Sequence, residues 1–252
     1  LAVVLVAKDD RLPLSTQAGQ RDLRIIQTEA AQPCKRLATG LLEAGRHFAM
    51  RPAAEEFNID AEQLTKAAQS FAADPNARNY IRLQKISESP RQELLRRLNR
   101  APGGTAAVVE MRRDLLTLLN KKPELMGLDY DMRHLLSSWF NPGFLKMHRV
   151  DWKSPAEILE KIIAHEAVHA IDGWDDLRRR LQPDRRCFAF FHPQLPDEPL
   201  IFVEVALLPE IPVAIMPLVD KKSTPVEQSN QFKVAAFYSI SNCESGLRGV
   251  SM

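Results

Sequence analysis

The chain reads Leu200-Ile201-Phe202-Val203-Glu204-Val205-Ala206-Leu207 in its second half, and this run of aliphatic, β-branched and aromatic residues is typical of a strand. Residues 187–191 and 232–240 have the same character, and loops rich in proline or charge separate the three runs. Residues 211–218 are a weaker strand candidate, because two prolines interrupt them. The sequence therefore predicts a β-sheet in the second half of the chain.

The first half has the apolar spacing of amphipathic helices. Asp60, Ser89 and Thr105 each precede such a pattern and are predicted to cap a helix, with Pro90 in the first turn of the second helix. A capping box at 154–157 predicts one more helix further on. We therefore predict an α+β fold, with an all-helical domain at 1–128 and a mixed α/β domain at 129–252.

Composition excludes several classes of protein. The chain has 252 residues, with 34 Lys and Arg against 32 Asp and Glu, so its net charge of +2 gives no reason to expect a nucleic-acid binder. No stretch approaches the roughly 18–20 apolar residues of a membrane helix. The three cysteines, Cys34, Cys187 and Cys243, lie far apart, which indicates reduced thiols in an intracellular protein.

A short motif suggests zinc. His165-Glu166-Ala167-Val168-His169 matches the pattern in which two histidines on one helical face bind zinc and the glutamate polarises a water molecule. Catalytic zinc needs a third protein ligand, and only Asp172, Asp175 or Asp176 follow at short range. We therefore predict no metal site and keep a zinc peptidase as a rival.

Two further features leave their roles open. Glu204 lies within an apolar strand, so it is expected to be partly buried and either paired with a base such as arginine or placed in a functional site. The stretch from His192 to Pro199 is predicted to connect two strands. It is either a rigid loop that presents His192 and Glu198 to a cleft or a plain connection stiffened by proline.

A more specific pattern follows the last predicted strand, where two glycines three residues apart flank an arginine. Such a loop can direct successive backbone N–H groups toward a phosphate. An ordinary glycine-containing turn is an equal alternative. The candidate binding residues are Glu244, Ser245, Gly246, Leu247, Arg248, Gly249 and Val250.

Long blocks of the chain, in order from about residue 60 to the end, resemble the sequence of a known protein family. They are residues 84–94, 99–105, 136–144, 154–162, 166–171, 184–193, 197–207 and 237–241. In these blocks the chain closely resembles the malonyl-CoA decarboxylase family. At His165 it departs from the family, where that position is commonly tyrosine, so the resemblance weakens the zinc interpretation.

The resemblance implies a helical oligomerisation domain at 1–128 and a CoA-binding catalytic domain at 129–252, similar to the acyl-CoA N-acyltransferase type known as GNAT. It implies conversion of malonyl-CoA into acetyl-CoA and carbon dioxide without a cofactor, since the CoA thioester is itself the substrate. The loop from Glu244 to Val250 corresponds to the family's CoA pyrophosphate loop. The family's catalytic serine and histidine are expected beyond Met252, so we expect a chain truncated on its C-terminal side that contains no catalytic residue.

The expected partners are malonyl-CoA and acetyl-CoA and other copies of the chain, as a tetramer or dimer of dimers, with no nucleic acid and no membrane. The expected location is the cytoplasm of a bacterium, or the mitochondrion or peroxisome of a eukaryote. The alternatives are a GNAT-type acyltransferase, the zinc peptidase on His165, Glu166 and His169, and a non-catalytic CoA-binding or helical interaction module.

Overall fold

The computed structural model describes residue 50, residues 53–223 and residues 231–252, so Cys34 lies outside the described residues. The fold is α+β, as predicted, with helices first and a four-stranded antiparallel sheet after them. The described residues form two compact units. The sheet unit is Leu145–Glu244, and the helical unit is the described chain up to Phe144 together with Ser245–Met252.

Within the described residues of the helical unit, the structure gives the bounds of five α-helices. They are α1 (Ala61–Ala73), α2 (Ala77–Ser87), α3 (Pro90–Asn99), α4 (Gly104–Leu118) and α5 (Met126–Trp139). Asp60 caps α1 as predicted, because its Oδ1 accepts hydrogen bonds from the backbone N–H groups of Glu62 and Gln63, each at 3.0 Å. The predicted domain boundary after residue 128 falls inside α5, whereas the compact units divide after Phe144. The proposed roles of the two domains stay predictions.

Of the other two predicted caps in this unit, Ser89 is confirmed in its position, with Pro90 in the first turn, and Thr105 is wrong. Ser89 lies at the N-terminus of α3 but makes no capping bond, because its hydroxyl donates instead to Asp131 Oδ2 at 2.6 Å. Thr105 lies inside α4, which begins one residue earlier after Gly103. Gly103 has a positive φ of 69°, a conformation that favours glycine, so the chain turns there rather than at a threonine cap.

In the part of the sheet unit that the structure describes, there are four strands in sequence order. They are β1 (Lys146–Val150), β2 (Arg185–His192), β3 (Leu195–Leu208) and β4 (Val234–Asn242). Between them lie α6 (Ala156–His165), α7 (Gly173–Arg180) and the single turn α8 (Met216–Val219). The three main strand predictions are confirmed. The strand predicted at 211–218 is wrong, because the prolines there allow only the short α8.

Two connections also differ from their predictions. The stretch from His192 to Pro199 is not a loop, because β2 ends at His192 and β3 begins at Leu195, leaving a two-residue turn. The capping box at 154–157 does not form. The N-cap of α6 is Pro155 without a side-chain bond, and the Ser154 hydroxyl accepts from the backbone N–H of Asp151 at 3.1 Å.

The core of the sheet unit places α6 and α7 against the sheet. Its buried side chains are Val150, Leu159, Ile162, Ile171, Leu177, Cys187, Ala189, Phe191 and Phe202. Because α6 and α7 contribute one apolar face each, the segment that joins them is held close to the sheet. No described helix is long and apolar enough to cross a membrane.

Candidate functional site

The structure does not place the two motif histidines on one helical face. Helix α6 ends at His165, and Glu166 has an extended backbone with φ of −67° and ψ of 107°. His169 therefore lies beyond the helix. Among the residues that the structure describes, no group of three or more His, Cys, Asp or Glu side chains is placed to hold a metal ion. The expected helical geometry of the motif is wrong.

Glu166 instead anchors the segment after α6. Glu166 is 7% exposed, and its Oε1 accepts hydrogen bonds from the backbone N–H groups of Val168 and His169, both at 2.8 Å. The hydroxyl of Ser239 donates to both carboxylate oxygens, at 2.9 and 2.8 Å, and that of Ser241 donates to Oε2 at 3.2 Å. These bonds tie residues 166–169 to β4, so the carboxylate has a structural role here.

Replacing Glu166 with glutamine is expected to lower the free energy of unfolding by about 2–4 kcal/mol. The amide would direct its N–H₂ group at hydroxyl and backbone donors, so at least one buried donor would lose its acceptor. Urea denaturation of the whole protein measures the change. Glu160→Gln on the exposed face of α6 is the matched control, and an equal denaturation midpoint for the two variants would contradict the expectation.

Glu204 lies at the centre of the sheet, opposite Cys187 on β2 and Ser239 on β4, and is 1% exposed. Of the two roles left open by the sequence, the structure shows the pairing with a base: Arg180 Nη1 donates to Glu204 Oε2 at 2.9 Å. Burial raises the pKa of Glu204 to about 7, against the opposing effect of the Arg180 charge. Glu204 is therefore a buried ion-pair partner whose charge changes near neutral pH.

Arg180 joins this pair to the segment that Glu166 anchors. Its Nε donates to Asp176 Oδ1 at 3.2 Å, and its Nη2 donates to the carbonyls of His169 and Ala170 at 2.8 and 3.2 Å. Burial alone would lower the pKa of Arg180, but the carboxylates of Glu204 and Asp176 outweigh burial and raise it. One guanidinium thus connects α7, the sheet and the backbone after α6.

His192 and Glu198 do not form a common site. His192 is 9% exposed, and its Nδ1 accepts a hydrogen bond from the backbone N–H of Gln194 at 3.2 Å, which stabilises the tight turn. Glu198 pairs with Lys161 Nζ at 2.8 Å. Both residues therefore have structural contacts, but His192 ends β2 and Glu198 lies within β3, so neither belongs to the connecting loop that was predicted.

The candidate phosphate loop is compact. Glu244 ends the sheet unit, and Ser245–Leu247 forms a single 3-10 turn in the helical unit. The N–H of Arg248 donates to Ser245 O at 3.2 Å, and the N–H of Val250 donates to Leu247 O at 2.9 Å. Gly249, which completes the second turn, has a φ of 74°, a conformation that favours glycine.

The loop is fastened to α4 at Gly246. A Cβ on this residue would lie 2.2 Å from the carbonyl oxygen of Val109, so only glycine allows this approach. Arg112 Nη1 donates to Gly246 O at 2.7 Å, and Arg112 is only 2% exposed. Sequence reasoning missed Arg112, because nothing local to it indicates a contact with a residue so distant in the chain.

The other side of the loop is open. Ser245, Arg248 and Gly249 are exposed, whereas Leu247 and Val250 are buried. The Arg248 guanidinium makes no ion pair with any residue in the part of the chain that the structure describes. A buried, fixed face and an exposed face that carries a cation suit the binding of an anionic group.

Comparisons with known proteins agree with the resemblance. The family model described as the malonyl-CoA decarboxylase N-terminal domain matches residues 57–140, and that described as the C-terminal domain matches residues 143–252. The chain is 38% identical over 197 residues to the mitochondrial malonyl-CoA decarboxylase of Anser anser anser, covering 76% of the chain and 38% of that protein. Against the mouse protein of the same name, identity is 36% over 196 residues, covering 75% of the chain and 39% of that protein.

Solved structures extend the likeness to the fold. The malonyl-CoA decarboxylase of Rhodopseudomonas palustris is 47% identical with a TM-score of 0.77, and that of Agrobacterium vitis is 45% identical with a TM-score of 0.79. Each comparison covers 89% of this chain and 56% of the other. The chain spans less than half the length of the curated relatives named above.

Proposed function

The chain belongs to the malonyl-CoA decarboxylase family, and from this we propose that the whole protein converts malonyl-CoA into acetyl-CoA and carbon dioxide. The observation within the chain that carries the proposal is the loop after β4. It is fixed on one face, and on the other it exposes Arg248 without an ion pair among the described residues. The proposal assigns the CoA pyrophosphate to residues 244–250.

Loss of carbon dioxide from malonyl-CoA leaves a thioester enolate. Catalysis requires that the breaking C–C bond be held perpendicular to the thioester plane, that hydrogen bonds stabilise the enolate oxygen, and that an acid protonate the carbon. We assign those steps to the serine and histidine that the family resemblance places beyond Met252. The residues of this chain then bind the remote part of the substrate, and that binding energy positions the reacting end.

The GNAT-like character of the sheet unit is part of the proposal. Four antiparallel strands in sequence order, the last of which leads into the candidate phosphate loop, support it. A GNAT-type acyltransferase would share this loop, but it would need a site for an amine acceptor.

We also propose that the whole protein is a homo-oligomer through its helical domain, which multi-angle light scattering would test.

The proposed cellular location depends on whether the protein comes from a eukaryote or from a bacterium. The relatives from Anser anser anser and mouse are named mitochondrial proteins. For a eukaryotic source we accordingly propose the mitochondrion, and for a bacterial source the cytoplasm. Imaging of the tagged whole protein would test the location.

The first experiment is turnover by the whole protein. Malonyl-CoA is supplied and acetyl-CoA is measured by chromatography, with and without a strong zinc chelator. Turnover that the chelator leaves unchanged would support a cofactor-free decarboxylase, and turnover lost with the chelator would contradict it. CoA binding without any decarboxylation would favour the acyltransferase or a binding module.

Arg248→Ala is expected to raise the KM for malonyl-CoA about 10-fold, because one charge-assisted hydrogen bond to phosphate would be lost. The kcat should change little, since Arg248 is assigned to binding. The wild-type KM should rise with added salt more steeply than that of the variant. Arg82→Ala, which removes an exposed cation of α2, is the control and should leave the KM unchanged.

A further inference from the structure

We propose that Arg112 is a positioning residue for CoA binding, because it holds the turn at 245–250 in the shape that receives the pyrophosphate. The inference rests on the proposed function of that loop. Arg112 lies on α4, far from the loop in sequence, and its side chain is 2% exposed. It is too buried to touch a ligand itself, so it acts through the backbone that it binds.

The geometry of Arg112 connects three elements of the helical unit. Nη1 donates to the Gly246 carbonyl at 2.7 Å, and Nε donates to Asp129 Oδ1 on α5 at 2.9 Å. The Asp129 side chain is 19% exposed, so the counter-charge lies closer to solvent than the guanidinium does. Asp129 therefore fixes the orientation of the Arg112 side chain, and Arg112 in turn fixes the loop.

Stability alone gives a weak reason for an arginine at this position. Burying a guanidinium carries a large desolvation cost, and an apolar side chain of similar volume often serves a core equally well. What an apolar side chain cannot do is donate to the Gly246 carbonyl. The pairing of a fully buried arginine with a loop carbonyl is therefore explained by the shape of the loop.

That shape matters because a peptide group is planar and its C=O and N–H point in opposite directions. Binding the Gly246 carbonyl fixes the orientation of the whole peptide group between Gly246 and Leu247. Gly246 also lies so close to α4 that a Cβ on it would be 2.2 Å from Val109 O, so the turn has no room to move toward α4. A loop held in this way loses little conformational freedom when a ligand binds, which strengthens binding.

The test compares two substrates of the whole protein. Malonyl-CoA carries the pyrophosphate, whereas malonyl-pantetheine is a thioester without it. For Arg112→Met we expect kcat/KM for malonyl-CoA to fall about 10-fold, through KM, because the loop would then have to be ordered when the substrate binds. For malonyl-pantetheine we expect no change, because that substrate does not reach the loop.

A buried leucine provides the matched control. Leu95→Ala lies on the neighbouring α3 at 1% exposure and should lower the melting temperature without discriminating between the two thioesters. An equal loss of activity of Arg112→Met on both substrates would mean general damage and would overturn the inference. Unchanged kinetics on malonyl-CoA would overturn it as well.

A milder variant covers the case in which Arg112→Met does not fold. Asp129→Asn keeps an acceptor for Nε but removes the charge. For this variant we expect a smaller fall in kcat/KM for malonyl-CoA and, again, no change for malonyl-pantetheine. If Arg248→Ala discriminates between the substrates and Asp129→Asn does not, the positioning role fails while the proposed loop function stands. If Arg248→Ala also fails to discriminate, the loop is not the pyrophosphate site and both proposals fall.

Discussion

Arg180→Met is expected to lower the free energy of unfolding of the sheet unit by about 3–5 kcal/mol, the usual cost of leaving a buried charge without its partner. Methionine fills much of the space of arginine but donates no hydrogen bond. Glu204, which is 1% exposed, would lose its counter-charge, and the carbonyls of His169 and Ala170 would lose their donor.

The deficit of this variant should depend on pH. Burial already raises the pKa of Glu204 to about 7 from its ordinary value of 4.5. A carboxyl whose pKa is higher in the folded state is protonated more readily there, so its contribution to stability falls as pH rises from about 4.5 to about 7. Without Arg180 the pKa of Glu204 would rise further, so the fall would continue above pH 7. The variant should therefore lose more stability, relative to wild type, at pH 8 than at pH 5.5.

Urea denaturation at the two pH values measures the effect, and a neighbour in the same basic run controls for charge. Arg178 is exposed and lies over the ring of Trp152, with 4.8 Å from its Cζ to the ring centroid. Arg178→Met should cost only about 0.5–1 kcal/mol, the value of an exposed cation–π contact. Adding Glu204→Gln to Arg180→Met should recover part of the loss and flatten its pH dependence. A deficit that is equal at both pH values would contradict a charged Glu204.

Local sequence patterns predicted much of the fold, and individual helices and strands show why they succeeded or failed. β3 was predicted because its β-branched and aromatic residues fill a central strand, and α1 because Asp60 precedes an apolar face of helical spacing. β1 was missed because four of its five residues are exposed, so it lacks an apolar run. An edge strand of this kind is stabilised by its pairing with β2, which no local pattern records.

The candidate site could be predicted from the sequence only where its residues are close together in the chain. The two glycines around Leu247 and Arg248 are contiguous with a strand, so the loop was found from sequence. The motif at His165 misled, because Glu166 leaves the helix to bind serines on β4 more than 70 residues away. Arg112 and Arg180 were missed for the same reason, since each acts through partners that only the fold brings near.

Gly246→Ala is expected to lower kcat/KM for malonyl-CoA roughly 100-fold, the cost that a misplacement of about 1 Å can have. The new Cβ would lie 2.2 Å from Val109 O and 2.9 Å from a methyl carbon of the same residue. A carbon cannot remain much closer than about 3 Å to a carbonyl oxygen, so the turn would have to move away from α4 by roughly 1 Å. That movement would also stretch the 2.7 Å bond from Arg112.

Gly249, the second glycine of the loop, provides a comparison in which the backbone conformation favours glycine but a Cβ would meet no steric clash. Gly249 has a positive φ of 74°, but a Cβ there would meet only Arg133 Cδ, at 3.8 Å. Gly249→Ala should therefore cost only the strain of its conformation, about 1 kcal/mol, and should lower kcat/KM no more than about 10-fold. Kinetics of both variants of the whole protein, with malonyl-CoA and with malonyl-pantetheine, measure the difference. If Gly246→Ala lowered kcat/KM less than Gly249→Ala does, the close approach of Gly246 to α4 would not be what shapes the loop. The variant that must displace the loop would then have left substrate binding intact.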